Sequence, residues 1–188
     1  MSSLREYLVE KRAALLARTA RIEGGALGSQ SLSATATAEG RSGVRRIRVR
    51  GHQVVTDSPP DFAGYDLGPS LPELQLGILG SCLNHSYLIQ AAARGVPVDA
   101  LEVEVTGRID ARAGRPGYEA VPVHPHALAY TVRVSSPASE EEITALTAAV
   151  DEACPILNLL RGAQTIEGRA GAFGAGTACG GLSVQTSG

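Results

Sequence analysis

The sequence predicts an α+β fold, and three observations carry that prediction. Two long stretches have helical hydrophobic spacing, several shorter ones alternate apolar and polar residues, and no strand–helix–strand alternation of the parallel-sheet kind joins them. No internal repeat is present. At 188 residues the chain is long enough for one domain with a substantial core and some appendage.

The elements follow in order. Ser3 followed by Glu6 has the pattern of a capping box, and Leu4, Leu8 and Leu15 recur at roughly helical spacing, which predicts a helix from about Ser3 to Ala20. Gly24, Gly25 and Gly28 then loosen the chain. "SLSATATA" alternates small and β-branched residues and reads as a strand. "VRRIRVR" alternates Ile47 and Val49 against Arg46, Arg48 and Arg50, a half-buried strand, and Gly51 turns the chain into "HQVVTD" to complete a meander.

"SPPDFAGYDLGPS" is a loop by composition. From about Leu71 to Ala93 the chain is apolar round most of a helical circumference, so a helix buried on nearly all sides is expected. Gly77 and Gly80 each weaken such a helix by about 1 kcal/mol relative to alanine, which suggests close packing at both.

"DALEVEVTGRIDAR" then places Leu101, Val103, Val105 and Ile109 on one strand face, with Glu102, Glu104, Thr106 and Arg108 on the other. "ALAYTVRV" repeats the alternation after a long hairpin connection. "PASEEEITALTAAVDEA" reads as a helix with Ser139 as N-cap and Glu142 closing a capping box, its acidic Glu140–Glu142 start complementing the helix dipole. "CPILNLLRG" predicts a short helix from Cys154–Pro155, "AQTIEG" a last strand, and the remainder a Gly-rich tail.

Composition excludes some functions. The net charge of −2 gives no reason to expect nucleic acid or an anionic membrane as partner. "MSSLREYLVEKRAALLARTARIEGG" lacks the apolar core and cleavage site of a signal peptide. The most apolar stretch carries Glu73, Gln75, Asn84 and His85, too polar a set for a bilayer span. Three cysteines without framework spacing fit a reducing compartment, so a cytoplasmic protein is expected.

Two cysteines stand where chemistry is possible. Cys154 precedes a proline suited to the first helical position, which sets its sulfur near unpaired N–H groups and favours thiolate; a cysteine that merely packs at a helix start is the competing reading. Cys82 lies inside the apolar helix "GILGSCLNHSYLI", where burial raises a thiol's pKa. Without a cation brought from elsewhere it is inert filler. His124 and His126 have too few partners for zinc, His85 reads as a core histidine or, three positions after Cys82, as a hydrogen-bond partner beside it, and Cys179 reads as a spare thiol in the tail.

Three segments together resemble the OsmC/Ohr family, which groups osmotically inducible proteins with organic hydroperoxide resistance proteins. "GPSLPELQLGILGSCLNHSYLIQAAARGVPVDALEVEVTGRID" matches the loop, the proline–acid helix start, the cysteine-bearing central helix and the following strand. "CPILNLLRG" matches the second cysteine motif, and "ATATAEGRSG" the first strand and its arginine. The resemblance spans roughly Ala34 to Glu167. It implies an OsmC-like fold, with antiparallel sheets around a long central helix and an intertwined homodimer whose active sites lie at the subunit interface. Residues 1–28 would be an N-terminal helical extension, 29–168 the OsmC-like domain and 169–188 the tail.

The resemblance also implies a function. Cys82 would be the peroxidatic cysteine and Cys154 the resolving one in a thiol peroxidase acting in the oxidative stress response. Its substrate would be an organic hydroperoxide and its reductant an external thiol such as a dihydrolipoyl group, with no metal or organic cofactor. Arg41 matches the activating arginine best, with Arg45 and Arg46 near enough in the chain to take its place. Glu73 is the matching carboxylate and Asp66 the fallback, because Glu73 lies nine positions before Cys82 where the characterised reductases have ten. The alternative is a non-peroxidase member that binds a small molecule or senses redox state.

Overall fold

The structure is a computed structural model that describes residues 3–171; Cys179 and most of the Gly-rich tail lie outside the described residues. Element order follows the sequence expectation closely. Helix α1 spans Leu4–Glu23, strands β1, β2 and β3 span Thr35–Glu39, Val44–Val49 and His52–Thr56, and the central helix α2 spans Leu71–Arg94. Strands β4 and β5 (Ala100–Arg108 and His126–Ser135) precede α3 (Glu140–Ala153) and the short α4 (Pro155–Arg161).

Local chemistry fixes most boundaries. Ser3 and Glu6, and Ser139 and Glu142, each make a reciprocal capping box, and Glu73 accepts from the Ser70 N–H and hydroxyl, so each of the three long helices begins with part of its orphan N–H groups satisfied. Gly95 at φ 73° ends α2 in the left-handed conformation that a side chain would resist.

Helix α2 is the hub, with α1, β4, α3 and α4 all packed against it. Its stripe Leu79, Leu83, Tyr87 and Ala91 repeats every four residues and meets Leu8, Val96, Val98, Leu146, Val150 and Leu157 in one core. Burying a leucine there contributes about 1.5–3 kcal/mol. The Tyr87 hydroxyl donates to Thr147 Oγ1 at 2.9 Å, so its polar end is satisfied inside that core. At the far end, Arg5 of α1 forms an ion pair with Asp99 just after α2.

The strands form two antiparallel sheets, β1–β2–β3 and β4–β5. In the second, Leu101, Val103 and Val105 sit opposite Val134, Val132 and Tyr130 on the face toward α2. Glu102 and Glu104 on the other face pair with Arg133. Gly80 allows this approach: a Cβ there would lie 3.3 Å from Val105 Cγ2.

The first sheet is a meander that makes no extensive contact with the helices. It runs into the 57–70 loop through Asp57, a buried carboxylate that accepts from the backbone N–H groups of Ser58, Tyr65 and Leu67 at 2.8, 2.9 and 3.2 Å. Those three bonds hold the Asp57 carboxyl below its ordinary value against the opposing effect of burial.

Several expectations need correction. The "SLSATATA" strand starts only at Thr35, because its partner β2 ends opposite it and residues 31–34 have no ladder to join. "AQTIEG" forms no strand, and Ile166 within it is 88% exposed. Ile109 falls beyond β4, past an irregularity between Thr106 and Arg108 that ends the alternation. Helix α2 is not buried all round: Leu71 and Ile78 are 54% and 41% exposed, and nothing lies within 4 Å of a Cβ built on Gly77. Its apolar circumference exceeds what the described residues cover.

Candidate active site: a facing pair of cysteines

Cys154 is both the last residue of the α3 turn and the residue before Pro155 at the first position of α4. Proline disfavours helical backbone in its predecessor, and Cys154 accordingly takes φ −71°, ψ 113°, so the chain bends by 63° there. The Cys154 N–H still closes α3 on the Val150 carbonyl at 2.8 Å. This bend turns the buried Cys154 side chain toward the flank of α2, where Cys82 sits half-buried beside the core. The two sulfurs are 3.5 Å apart, within hydrogen-bonding distance for thiols.

The electrostatics of Cys82 are those of a thiol held neutral. Burial pushes it above the ordinary cysteine value, and the neighbouring Cys154 thiol adds to the rise. The Ile156 backbone N–H and the Ser86 hydroxyl pull the other way. Among the described residues, no cation of the same chain acts on this sulfur.

The other sequence-identified residues lie elsewhere. Arg41 is exposed in the β1–β2 turn and takes part in no ion pair among the described residues. Arg45 donates to the Gly43 carbonyl at 3.1 Å and to the Ser58 hydroxyl at 3.4 Å, and Arg46 is paired with Glu39 and Gln53. Glu73 accepts from the Ser70 N–H and hydroxyl at 2.8 and 2.7 Å, bonds that hold its carboxyl below the ordinary range. Asp66 is exposed, with its N–H on the Ser58 carbonyl. Within one chain, therefore, the two cysteines meet and the arginine and carboxylate candidates do not join them. His85 faces outward, and burial followed by Lys11 lowers its pKa. His126 Nδ1 rests near the His124 carbonyl at 3.4 Å.

Sequence reasoning missed three contributors. Ser86 is one helical turn after Cys82, and Asn158 one turn after Cys154, spacings that mark both as neighbours once the cysteines are suspected. Tyr130, Asp151 and Arg161 form a third group behind α4: the Tyr130 hydroxyl donates to Asp151, and Arg161 pairs with the same carboxylate at 3.2 Å. No local sequence signal links residues so far apart.

A family model described as OsmC-like protein matches residues 64–168, which take in α2, β4, β5, α3, α4 and both facing cysteines. The chain belongs to the OsmC-like family. Solved OsmC-like structures share its fold. An OsmC-like protein from Mycoplasma pneumoniae aligns with TM-score 0.62 and 20% identity, over 72% of this chain and 90% of that one. An organic hydroperoxide resistance protein OsmC from Legionella pneumophila, also described as a predicted redox protein, aligns with TM-score 0.52 and 17% identity, over 72% and 93%. An OsmC-like protein of unknown function from Vibrio cholerae gives TM-score 0.53 and 15% identity, over 69% and 93%. No curated protein matches the chain. At these identities the likeness establishes the OsmC-like fold. Helix α1 lies outside the residues that the family model matches. Among the described residues, no single helix is long and apolar enough to cross a membrane.

Proposed function

We propose that this OsmC-like protein is a thiol-dependent peroxidase that reduces organic hydroperoxides. The observation that carries the reading is the 3.5 Å approach of Cys82 and Cys154 across the α2–α4 contact. The Cys82 thiolate attacks a peroxide oxygen, the O–O bond breaks, and the alkoxide leaves to take a proton as alcohol. Cys82 is left as a sulfenic acid. The Cys154 sulfur then attacks it, water departs and a disulfide forms, which an external dithiol such as a dihydrolipoyl group reduces while being oxidised itself. The apolar core against which Cys82 packs would favour an organic substrate over hydrogen peroxide.

The first step needs a thiolate, which burial opposes. A homodimer would meet that need, with Arg41 of a second copy, oriented by Glu73, reaching the sulfur at the subunit interface. Arginine suits the task because it stays charged and can bridge a thiolate and a carboxylate. A second reading is supported by the same electrostatics: a thiol kept neutral suits a ligand-binding or slow redox-sensing protein.

Turnover of cumene hydroperoxide with dihydrolipoamide separates them. The peroxidase reading expects organic-peroxide turnover well above that of hydrogen peroxide, abolished by Cys82→Ser and reduced by Cys154→Ser. Wild type no faster than Cys82→Ser would reject it.

A further inference from the structure

Asn158 occupies an unusual position at the α3–α4 bend. Its side-chain amide nitrogen reaches three backbone carbonyls: Asp151 at 3.2 Å, Glu152 at 3.1 Å and Cys154 at 2.9 Å. The assignment of nitrogen to that side follows from chemistry, because three carbonyl oxygens repel another oxygen and accept from an NH2 group. Asp151 and Glu152 belong to the last turn of α3, whose carbonyls have no partners within the helix. The third carbonyl is that of Cys154 itself. One side chain thus ties the end of α3 to the start of α4 across the residue whose sulfur faces Cys82.

We infer that Asn158 is a positioning residue for the Cys82–Cys154 disulfide, holding the bend at the angle that keeps the Cys154 sulfur within reach. Its effect on catalysis rests on the peroxidase reading; its effect on thiol pairing does not. Asn158 touches neither reacting sulfur, so its contribution enters through the backbone of Cys154. Losing it lets the bend open and lowers the effective concentration of the second thiol at the first. The step that forms the sulfenic acid involves Cys82 on α2 and is untouched. The step that condenses it with Cys154, releasing water, is slowed.

The test uses the full chain carrying Cys179→Ser, so that only the facing pair reacts. Wild type, Asn158→Ala and the near-isosteric Asn158→Asp are equilibrated with glutathione and glutathione disulfide. Each intramolecular disulfide formed converts one glutathione disulfide to two glutathiones, and acid quenching followed by alkylation and mass measurement counts it. Loss of hydrogen bonds of this kind predicts an equilibrium constant about threefold to tenfold lower in both variants. Values within twofold of wild type for Asn158→Ala, or a wild-type value for Asn158→Asp, overturn the inference; the second would mean that shape rather than donation matters.

A kinetic arm excludes general loosening. Dimedone trapping after a pulse of cumene hydroperoxide is expected to give wild-type rates of Cys82 sulfenic acid formation in Asn158→Ala, followed by slower disulfide formation. Equal slowing of both steps overturns the positioning role. If wild type forms no sulfenic acid at all, the peroxidase reading fails and the glutathione equilibrium still decides the role of Asn158.

Discussion

Oxidising the facing cysteines should make the protein much more stable, and the size of the gain follows from the chain. Cys82 and Cys154 lie 72 positions apart, so bonding them closes a long loop in the unfolded state. The chain-entropy relation for a loop of that length gives about 4 kcal/mol at 25 °C. For a chain of this size each kcal/mol raises Tm by about 2–4 °C, so a gain of roughly 8–16 °C is expected, less any strain in closing the sulfurs to bonding distance. The assay is thermal unfolding of protein oxidised with one equivalent of diamide, beside the same protein kept in reductant, in a Cys179→Ser background. Non-reducing electrophoresis separates an internal bridge from one between chains, and Cys154→Ser must show no shift. An oxidised protein that retains two alkylatable thiols, or one with an internal bridge and unchanged Tm, would refute the geometric reasoning.

Two further outcomes follow from the core and from the residues behind α4. Leu83 is fully buried in the middle of the α2 stripe, and Leu83→Ala should cost about 2–5 kcal/mol in urea unfolding; a loss below about 1 kcal/mol would show that the stripe is not the core. Tyr130, partly buried and hydrogen-bonded to Asp151, has its hydroxyl pKa pushed up to about 12 by burial first and by that carboxylate second. Between about pH 10, where the unfolded phenol ionises, and pH 12, the unfolded state binds fewer protons than the folded one, so stability falls as pH rises. Tyr130→Phe should lack this component of the decline, and parallel curves for the two proteins would contradict it.

Much of the fold was legible because its signals are local. Ser3–Glu6 and Ser139–Glu142 are four-residue patterns whose hydrogen bonds form within the same four residues, and both boxes are present in the structure. The alternation of Leu101, Val103 and Val105 needs only one apolar neighbour, which α2 provides. Failures came where a partner had to be supplied. Ser31–Ala34 and Ala163–Gly168 have strand-compatible residues and no pairing partner among the described residues. Glu73 shows how a local demand competes with a remote one: its carboxylate sits three residues after Ser70, and the cap there takes both of its recorded bonds. The meeting of Cys82 and Cys154 has no periodic signature, since they lie 72 positions apart with three elements, β4, β5 and α3, between them. Only the family resemblance pointed to it.

Two surfaces left open among the described residues would be covered together by the homodimer proposed above. Helix α2 exposes Leu71 and Ile78 on a side that its own α1, β4, α3 and α4 do not reach. The meander exposes Ala36, Ala38, Val49 and Val54, and the pairings Ala36–Ile47 and Ile47–Val54 put these on the apolar face of a sheet that the helices do not cover. A second copy laying that sheet face over α2 would bury both surfaces at once. It would also carry Arg41, at the β1–β2 turn of the same sheet, toward the flank of α2 where Cys82 awaits a cation. An arginine brought by dimerisation would make thiolate formation conditional on assembly: in the lone chain burial raises the Cys82 pKa, and a paired chain would offset that burial with a charge. In that arrangement the apolar surroundings that oppose ionisation would also exclude water from a bound peroxide, so the proposed substrate preference and the proposed need for a partner would arise from the same packing.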